Sequence, residues 1–115
     1  MHRMSIRTNK KRQVIDLTSM VNTFIAEQGF ADGLCNVFVL HTKAALSTAD
    51  LDPGTDQDML DAYTAMVPKL NYRHPHDPEH APDHILATLI GPSVTLPVER
   101  GRLVLGTWQR VVLIE

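Results

Sequence analysis

Six histidines occur in 115 residues, and four of them crowd between His74 and His84. They spell His74-x-His76-x3-His80-x3-His84 within HPHDPEHAPDH. Imidazole is the commonest metal ligand and a general base near neutral pH, so such crowding points to metal binding, proton transfer or anion binding. By spacing, His80 and His84 are the tempting pair, because i and i+4 share one helix face as in zinc helices. Pro82 lies between them and puts His80 at or before a helix start. No HExxH or paired CxxC accompanies the cluster, so spacing alone does not make it a zinc motif.

Other chemistry-bearing residues lie outside the cluster. Cys35 needs a base within hydrogen-bond reach to act as a nucleophile. His41 shares its strand face, but six residues of extended chain put it roughly 20 Å away. Cys35 therefore reads as a small buried hydrophobe. Asp50, Asp52, Asp56, Asp58 and Asp61 could supply hard ligands, yet acidic residues at a helix start also complement the helix dipole. Asp50 stands apart because it ends a strand whose upstream neighbour begins at His41. Ser93 and Gln109 are polar groups flanked by apolar ones, and by type alone each reads as a structural hydrogen bonder. The sequence contains no GxGxxG, Walker loop or GxSxG, so nucleotide-binding and esterase readings lack support.

Positioning these groups requires a folded domain, and the composition is that of one. The chain is 43% hydrophobic, which argues against global disorder, and its length fits a single domain over residues 1–115. Lys and Arg number 11 against 13 Asp and Glu, a balance that argues against a nucleic-acid partner. No apolar run reaches the roughly 18–20 residues of a bilayer span, so no membrane partner is expected. The basic N-terminus leads into VIDLTS rather than an apolar run and does not read as a signal peptide. The single cysteine fits a reducing, cytoplasmic compartment.

Periodicity predicts the elements. Met4–Thr8 and Val14–Leu17 read as short strands separated by a charged turn at Asn9–Arg12. Thr18 or Ser19 would cap a helix running to about Gln28, with Gly29 as its left-handed stop. LCNVFVLH reads as a mostly buried strand, with Cys35, Val37, Val39 and His41 on one face. Ala44–Thr48 forms another strand. A second helix follows the Asp52-Pro53-Gly54 turn, capped by Thr55 or Asp56, with a stripe of Met59, Leu60, Tyr63, Met66 and Val67. After a polar loop at Asn71–Ala81, Pro82 opens a third helix with a stripe of Ile85, Leu86, Leu89 and Ile90. Three strands follow, SVTLPVE, RLVLG and WQRVVLIE, with a hairpin at Glu99-Arg100-Gly101. Too few βαβ units occur for a doubly wound sheet, so the expected fold is α+β, an antiparallel two-sheet sandwich with two to three helices.

These blocks resemble a known family. HTKAAL at His41–Leu46 and D-x-D-P-G-x3-D at Asp50–Asp58 are similar to the HTTAAL…NExEPGxxxD signature of the YjbQ family. YRH at Tyr72–His74, PDHI at Pro82–Ile85, LIGPSVTLPV at Leu89–Val98 and RLVLGTWQ at Arg102–Gln109 follow in the family order. The resemblance runs from about Val14 to the C-terminus. It departs at Lys43, which replaces a Thr, and at Ala49-Asp50, which replace Asn-Glu.

The resemblance implies a homotrimer with clefts between subunits, and an activity like that of a secondary thiamine-phosphate synthase. Such an enzyme joins a hydroxymethylpyrimidine diphosphate to a thiazole phosphate with release of pyrophosphate. The family's histidines fall on His41, His74 and His84, leaving His76 and His80 as solvated neighbours. By the resemblance, His41, His74, His84 and Asp50 are the catalytic candidates, and Lys43, Ser93 and Gln109 would bind substrate. His41, His74 and His84 could also hold a divalent metal ion, zinc or magnesium; no organic cofactor is expected. The partner is a small phosphorylated metabolite. Two rival readings use the same residues: a metal-dependent hydrolase, and a non-catalytic trimeric metabolite-binding protein.

Overall fold

The computed structural model describes residues 1–8 and 12–115. Its elements run β1 (Val14–Asp16), α1 (Thr18–Glu27), β2 (Gly33–Phe38), β3 (Ala45–Ala49), α2 (Thr55–Met66), a single 3-10 turn (Pro78–His80), α3 (Ala81–Ile90), β4 (Ser93–Glu99), β5 (Arg102–Leu103) and β6 (Arg110–Ile114). Two antiparallel three-stranded sheets result, ordered β1-β6-β3 and β2-β4-β5. This is the α+β sandwich that the sequence predicts.

The run Val111-Val112-Leu113-Ile114 explains why β6 is the centre of the first sheet. β-branched side chains suit the pleated backbone, and alternation sends an apolar group to each face. Val111 and Leu113 point into the sandwich, where they meet Leu96 and Val98 of β4, Leu103 of β5, Leu17 just before α1, and Val21 and Ile25 on one stripe of α1. Val112 and Ile114 are buried on the opposite face. There Ile114 and Ala45 line a small gap with Leu60 and Tyr63 of α2 and Leu86 and Ile90 of α3.

Several expectations are corrected. Met4–Thr8, all among the described residues, forms no strand, while the expected charged turn at Asn9–Arg12 lies largely outside the described residues. Thr18 does not cap α1 with its hydroxyl. It is buried, and its Oγ1 accepts the Val111 N–H at 2.9 Å, while the Asp16 carboxylate accepts the Thr18 N–H at 2.9 Å. Burial against β6 recruits the hydroxyl, and the preceding Asp takes over at the helix start. Gly54, with φ of 91°, precedes α2 where Thr55 or Asp56 was expected to cap it.

The β2 strand is not buried on both faces. Cys35, Val37 and Val39 pack on the core, whereas Leu34, Phe38 and Leu40 are exposed. Ile85 and Leu89 of the expected α3 stripe are likewise exposed, because only the Leu86 side of the helix meets the sheet. The β4–β5 hairpin matches its expectation: Arg100 and Gly101 both have positive φ, 53° and 77°, the two-residue turn whose twist suits adjoining strands. No helix among the described residues is long and apolar enough to cross a membrane.

Candidate functional site

The turn between β2 and β3 and the start of α3 meet at one corner of the sandwich. Antiparallel pairing brings Phe38, at the end of β2, opposite Ser93, at the start of β4. The chain then leaves the sheet, so His41 is exposed in the turn and does not continue the buried Cys35–Val39 face. His41 Nδ1 accepts the Lys43 N–H at 3.0 Å. One helical turn into α3, His84 Nδ1 lies 3.2 Å from the Thr42 carbonyl oxygen. Pro82 in the first turn of α3 gives that helix a start that needs no N–H there.

His74 comes from the loop before α3 and sets its ring 4.7 Å from that of His84, centroid to centroid, at 59°. Partial desolvation holds the His74 pKa below the ordinary imidazole value; repulsion from His84, His76 and His80 adds to this, and Asp77 opposes it. His76 is exposed, its ring 6.2 Å from that of His74. His80 pairs with Asp77 at 3.3 Å, and the Asp77 carboxylate also accepts the Glu79 N–H, which fixes the 3-10 turn. The two histidines singled out by spacing thus part company: His84 joins the corner, and His80 is engaged by its own loop.

The remaining candidates divide between the two ends of β3. Lys43 sits at the histidine end and lines the gap beneath α2 and α3 with Asp83 and Arg12. Ser93 is exposed near the same end. Asp50 follows the far end of β3, about 17 Å of strand from Ala45. Its Oδ1 accepts the Asp52 N–H at 2.9 Å and so shapes the turn into α2. Gln109 belongs to that far end too, beside the Ala49–Arg110 pair. Its Nε2 donates to Thr48 Oγ1 and its Oε1 accepts the Gly106 N–H, both at 3.0 Å, so its amide ties the loop before β6 to β3.

Cys35 is half-buried on the core side of β2, and burial pushes its thiol pKa up, which fits an inert packing group. Among the described residues, no three His, Cys, Asp or Glu side chains gather where a metal ion could sit. His41, His74 and His84 are all described, so within one chain they form a corner of imidazoles without a converged ligand set. Sequence reasoning missed two groups, the Thr42 carbonyl and the Lys43 N–H. Backbone atoms leave no mark in residue type, and only the HTK step from strand to turn hints at them. It also missed the pairing of Arg12 with Asp83 at 3.1 Å, which anchors α3 next to this corner.

Comparison with known proteins adds relatives along almost the whole chain. The family model described as UPF0047 protein YjbQ-like matches residues 2–115, a longer match than the motif blocks alone. A UPF0047 protein from Mycobacterium bovis is 40% identical over 107 residues, covering 91% of this chain and 81% of the relative. One from Archaeoglobus fulgidus is 36% identical over 113 residues, covering 97% and 87%. A crystal structure of a protein of unknown function from Sulfolobus solfataricus superposes with a TM-score of 0.88 at 30% identity, covering 96% of this chain and 80% of that one. An uncharacterised protein from Clostridium acetobutylicum gives 0.88 at 34% identity, covering 96% and 85%.

Proposed function

The chain belongs to the YjbQ, or UPF0047, family, and from that premise we propose that it is an enzyme of small phosphorylated metabolites, resembling secondary thiamine-phosphate synthase. In that reaction the bond from the pyrimidine methylene carbon to its diphosphate oxygen breaks. Pyrophosphate leaves with the electron pair, and the thiazole nitrogen bonds to the carbon. The protein's task is to hold the two reactants in line and to stabilise charge growing on the departing oxygens.

The observation that carries this reading is the imidazole corner. His74 and His84 lie ring against ring. The turn beside them gives His41 a hydrogen bond at Nδ1, which leaves its proton on Nε2 as a donor for a phosphate oxygen. Lys43 and Ser93 would bind substrate from the same end. Asp50 and Gln109, at the far end of β3, would join the site across a subunit boundary. A homotrimer would supply that boundary, and the outer face of β2, with Leu34 71%, Phe38 57% and Leu40 72% exposed, supports association. The lone Cys35 suits a cytoplasmic setting.

The test is pyrophosphate release from the pyrimidine diphosphate in the presence of the thiazole phosphate. Turnover that falls in His41→Ala and His84→Ala is expected. Full rate in His41→Ala overturns the assignment.

One observation favours the hydrolase reading instead. A metal-bound imidazole commonly donates its other N–H to a backbone carbonyl, and His84 Nδ1 lies 3.2 Å from the Thr42 carbonyl oxygen. Among the described residues of one chain, the scattered ligand set fits zinc or magnesium poorly. Stoichiometric metal in the purified protein, with hydrolysis lost on chelation, would establish that reading. Undiminished hydrolysis by metal-free protein would dispose of it.

A further inference from the structure

The two hydrogen bonds at the histidine corner fall on a single peptide unit. The Lys43 N–H donates to His41 Nδ1 at 3.0 Å, and the Thr42 carbonyl lies 3.2 Å from His84 Nδ1. We infer that the Thr42–Lys43 peptide bridges His41 and His84 and holds them in opposite neutral tautomers. A ring nitrogen that accepts a hydrogen bond carries no proton, so neutral His41 keeps its proton on Nε2. A carbonyl oxygen only accepts, so His84 carries its proton on Nδ1 and has the lone pair on Nε2. Hydrogen bonds at both ends of one amide polarise it and strengthen each other, which makes the two tautomers mutually supporting.

The consequence is a division of labour between two residues of the same type. At Nε2, His41 is a donor and His84 is an acceptor. An ion bound at His41 Nε2 would force the proton onto Nδ1 and break the bond to Lys43. The chain contains no cis peptide among its described residues, so the N–H and carbonyl of this unit point to opposite edges. A ligand that touches both rings must span that width, accept at one end and donate at the other. Resting on the proposed function, this names the substrate class: a phosphorylated organic molecule with its own amino or hydroxyl group, in preference to a bare phosphate.

Two-bond 1H–15N correlation spectra of histidine-labelled, ligand-free protein, recorded above the imidazole titration range, read the tautomers directly. The expected result is the Nε2–H pattern for His41 and the Nδ1–H pattern for His84. The same tautomer in both, or a fast-exchanging mixture, overturns the inference. Lys43→Pro removes the donor and is expected to release His41 into exchange, whereas Lys43→Ala retains the amide and the pattern. An unchanged His41 in folded Lys43→Pro also overturns it, and if that variant does not fold, the wild-type spectrum still decides.

The ligand class is read by titrating an aminopyrimidine phosphate ester and the same ester without its amino group. The amino compound should bind about tenfold more tightly, a gap that His84→Ala erases. Equal affinities overturn the class. Because the spectra need no substrate, a failed turnover assay strikes the proposed function and leaves the tautomers standing.

Discussion

In the first sheet, β6 buries Val111 and Leu113 on one face and Val112 and Ile114 on the other; in the second, β2 half-buries Cys35 and Val37 against the core and leaves Leu34 and Phe38 in solvent. The first sheet lies between the sandwich core and the α2–α3 layer, so each of its faces has a cover. Among the described residues, the second packs on the first sheet and α1, and its Leu34–Phe38 face is exposed. This difference separates two kinds of apolar residue. Those around β6 form the buried core, whereas the outer row of β2 is exposed in the single chain. The histidine corner stands where the two regions meet, at the turn that carries the chain from β2 into β3.

The largest expected effect is at β6. Leu113→Ala removes a side chain that is 6% exposed in the core, and should cost about 3 kcal/mol in chemical denaturation. A loss under about 1 kcal/mol would mean that β6 is not the structural centre. Thr18→Val is next. It keeps the shape but takes away the acceptor for the Val111 N–H, stranding a buried amide at a cost of about 1–2 kcal/mol. Thr18→Ser, which restores the hydroxyl, should recover most of that loss. No recovery would show that packing, and not the hydrogen bond, ties α1 to β6.

The same contrast explains what could be read from the sequence. The VVLI run of β6 announced itself by β-branched residues, and Gly29 and Arg100-Gly101 marked their turns through backbone conformations that few residues adopt. Alternation placed Cys35, Val37 and Val39 together, but it could not say whether the Leu34–Phe38 face had a cover. That depends on which elements return to it, a long-range fact. At the site, residue type brought out the whole His74–His84 cluster and spacing favoured His80 with His84; family resemblance selected His74 and added His41. The bridge between His41 and His84 is made of backbone atoms and was invisible. Asp50 looked adjacent to His41 because one strand links them, yet the length of that strand is what separates them. Gln109 read as a structural hydrogen bonder by type, and its two side-chain bonds are of that kind.

On the open face the expected effect on the isolated chain is smaller. Phe38→Ser, at a side chain 57% exposed, should change monomer stability by less than about 0.5 kcal/mol. If the outer row of β2 is an association surface, the same substitution shifts the protein to monomer in light scattering. A monomeric wild type would remove the association from the comparison. A destabilisation similar to that of Leu113→Ala would erase the contrast between the sheets altogether.

The smallest effects are electrostatic and sharpen the contrast by pH. Burial pushes the Asp16 carboxyl up, but bonds from the Thr18 N–H and hydroxyl and from Arg110 outweigh it, so its pKa lies below the ordinary value. A depressed carboxyl stabilises the fold above its unfolded pKa of about 3.9, and that contribution disappears as pH falls through the folded value. Asp16 joins β1 to β6 through Arg110, so its loss loosens the first sheet only in strong acid. His74 is lowered for a different reason, partial desolvation first and then the neighbouring imidazoles. Its unfolded form binds a proton more readily than its folded form, so the stability it contributes is whole above about pH 6.5 and is lost as pH falls through the folded pKa. The histidine corner should therefore respond to mild acid before the first sheet does. His84→Ala removes one source of repulsion and should move the His74 pKa upward in an NMR titration. An unmoved pKa would mean that the two rings, although 4.7 Å apart, do not share their charge and act at the corner as independent groups.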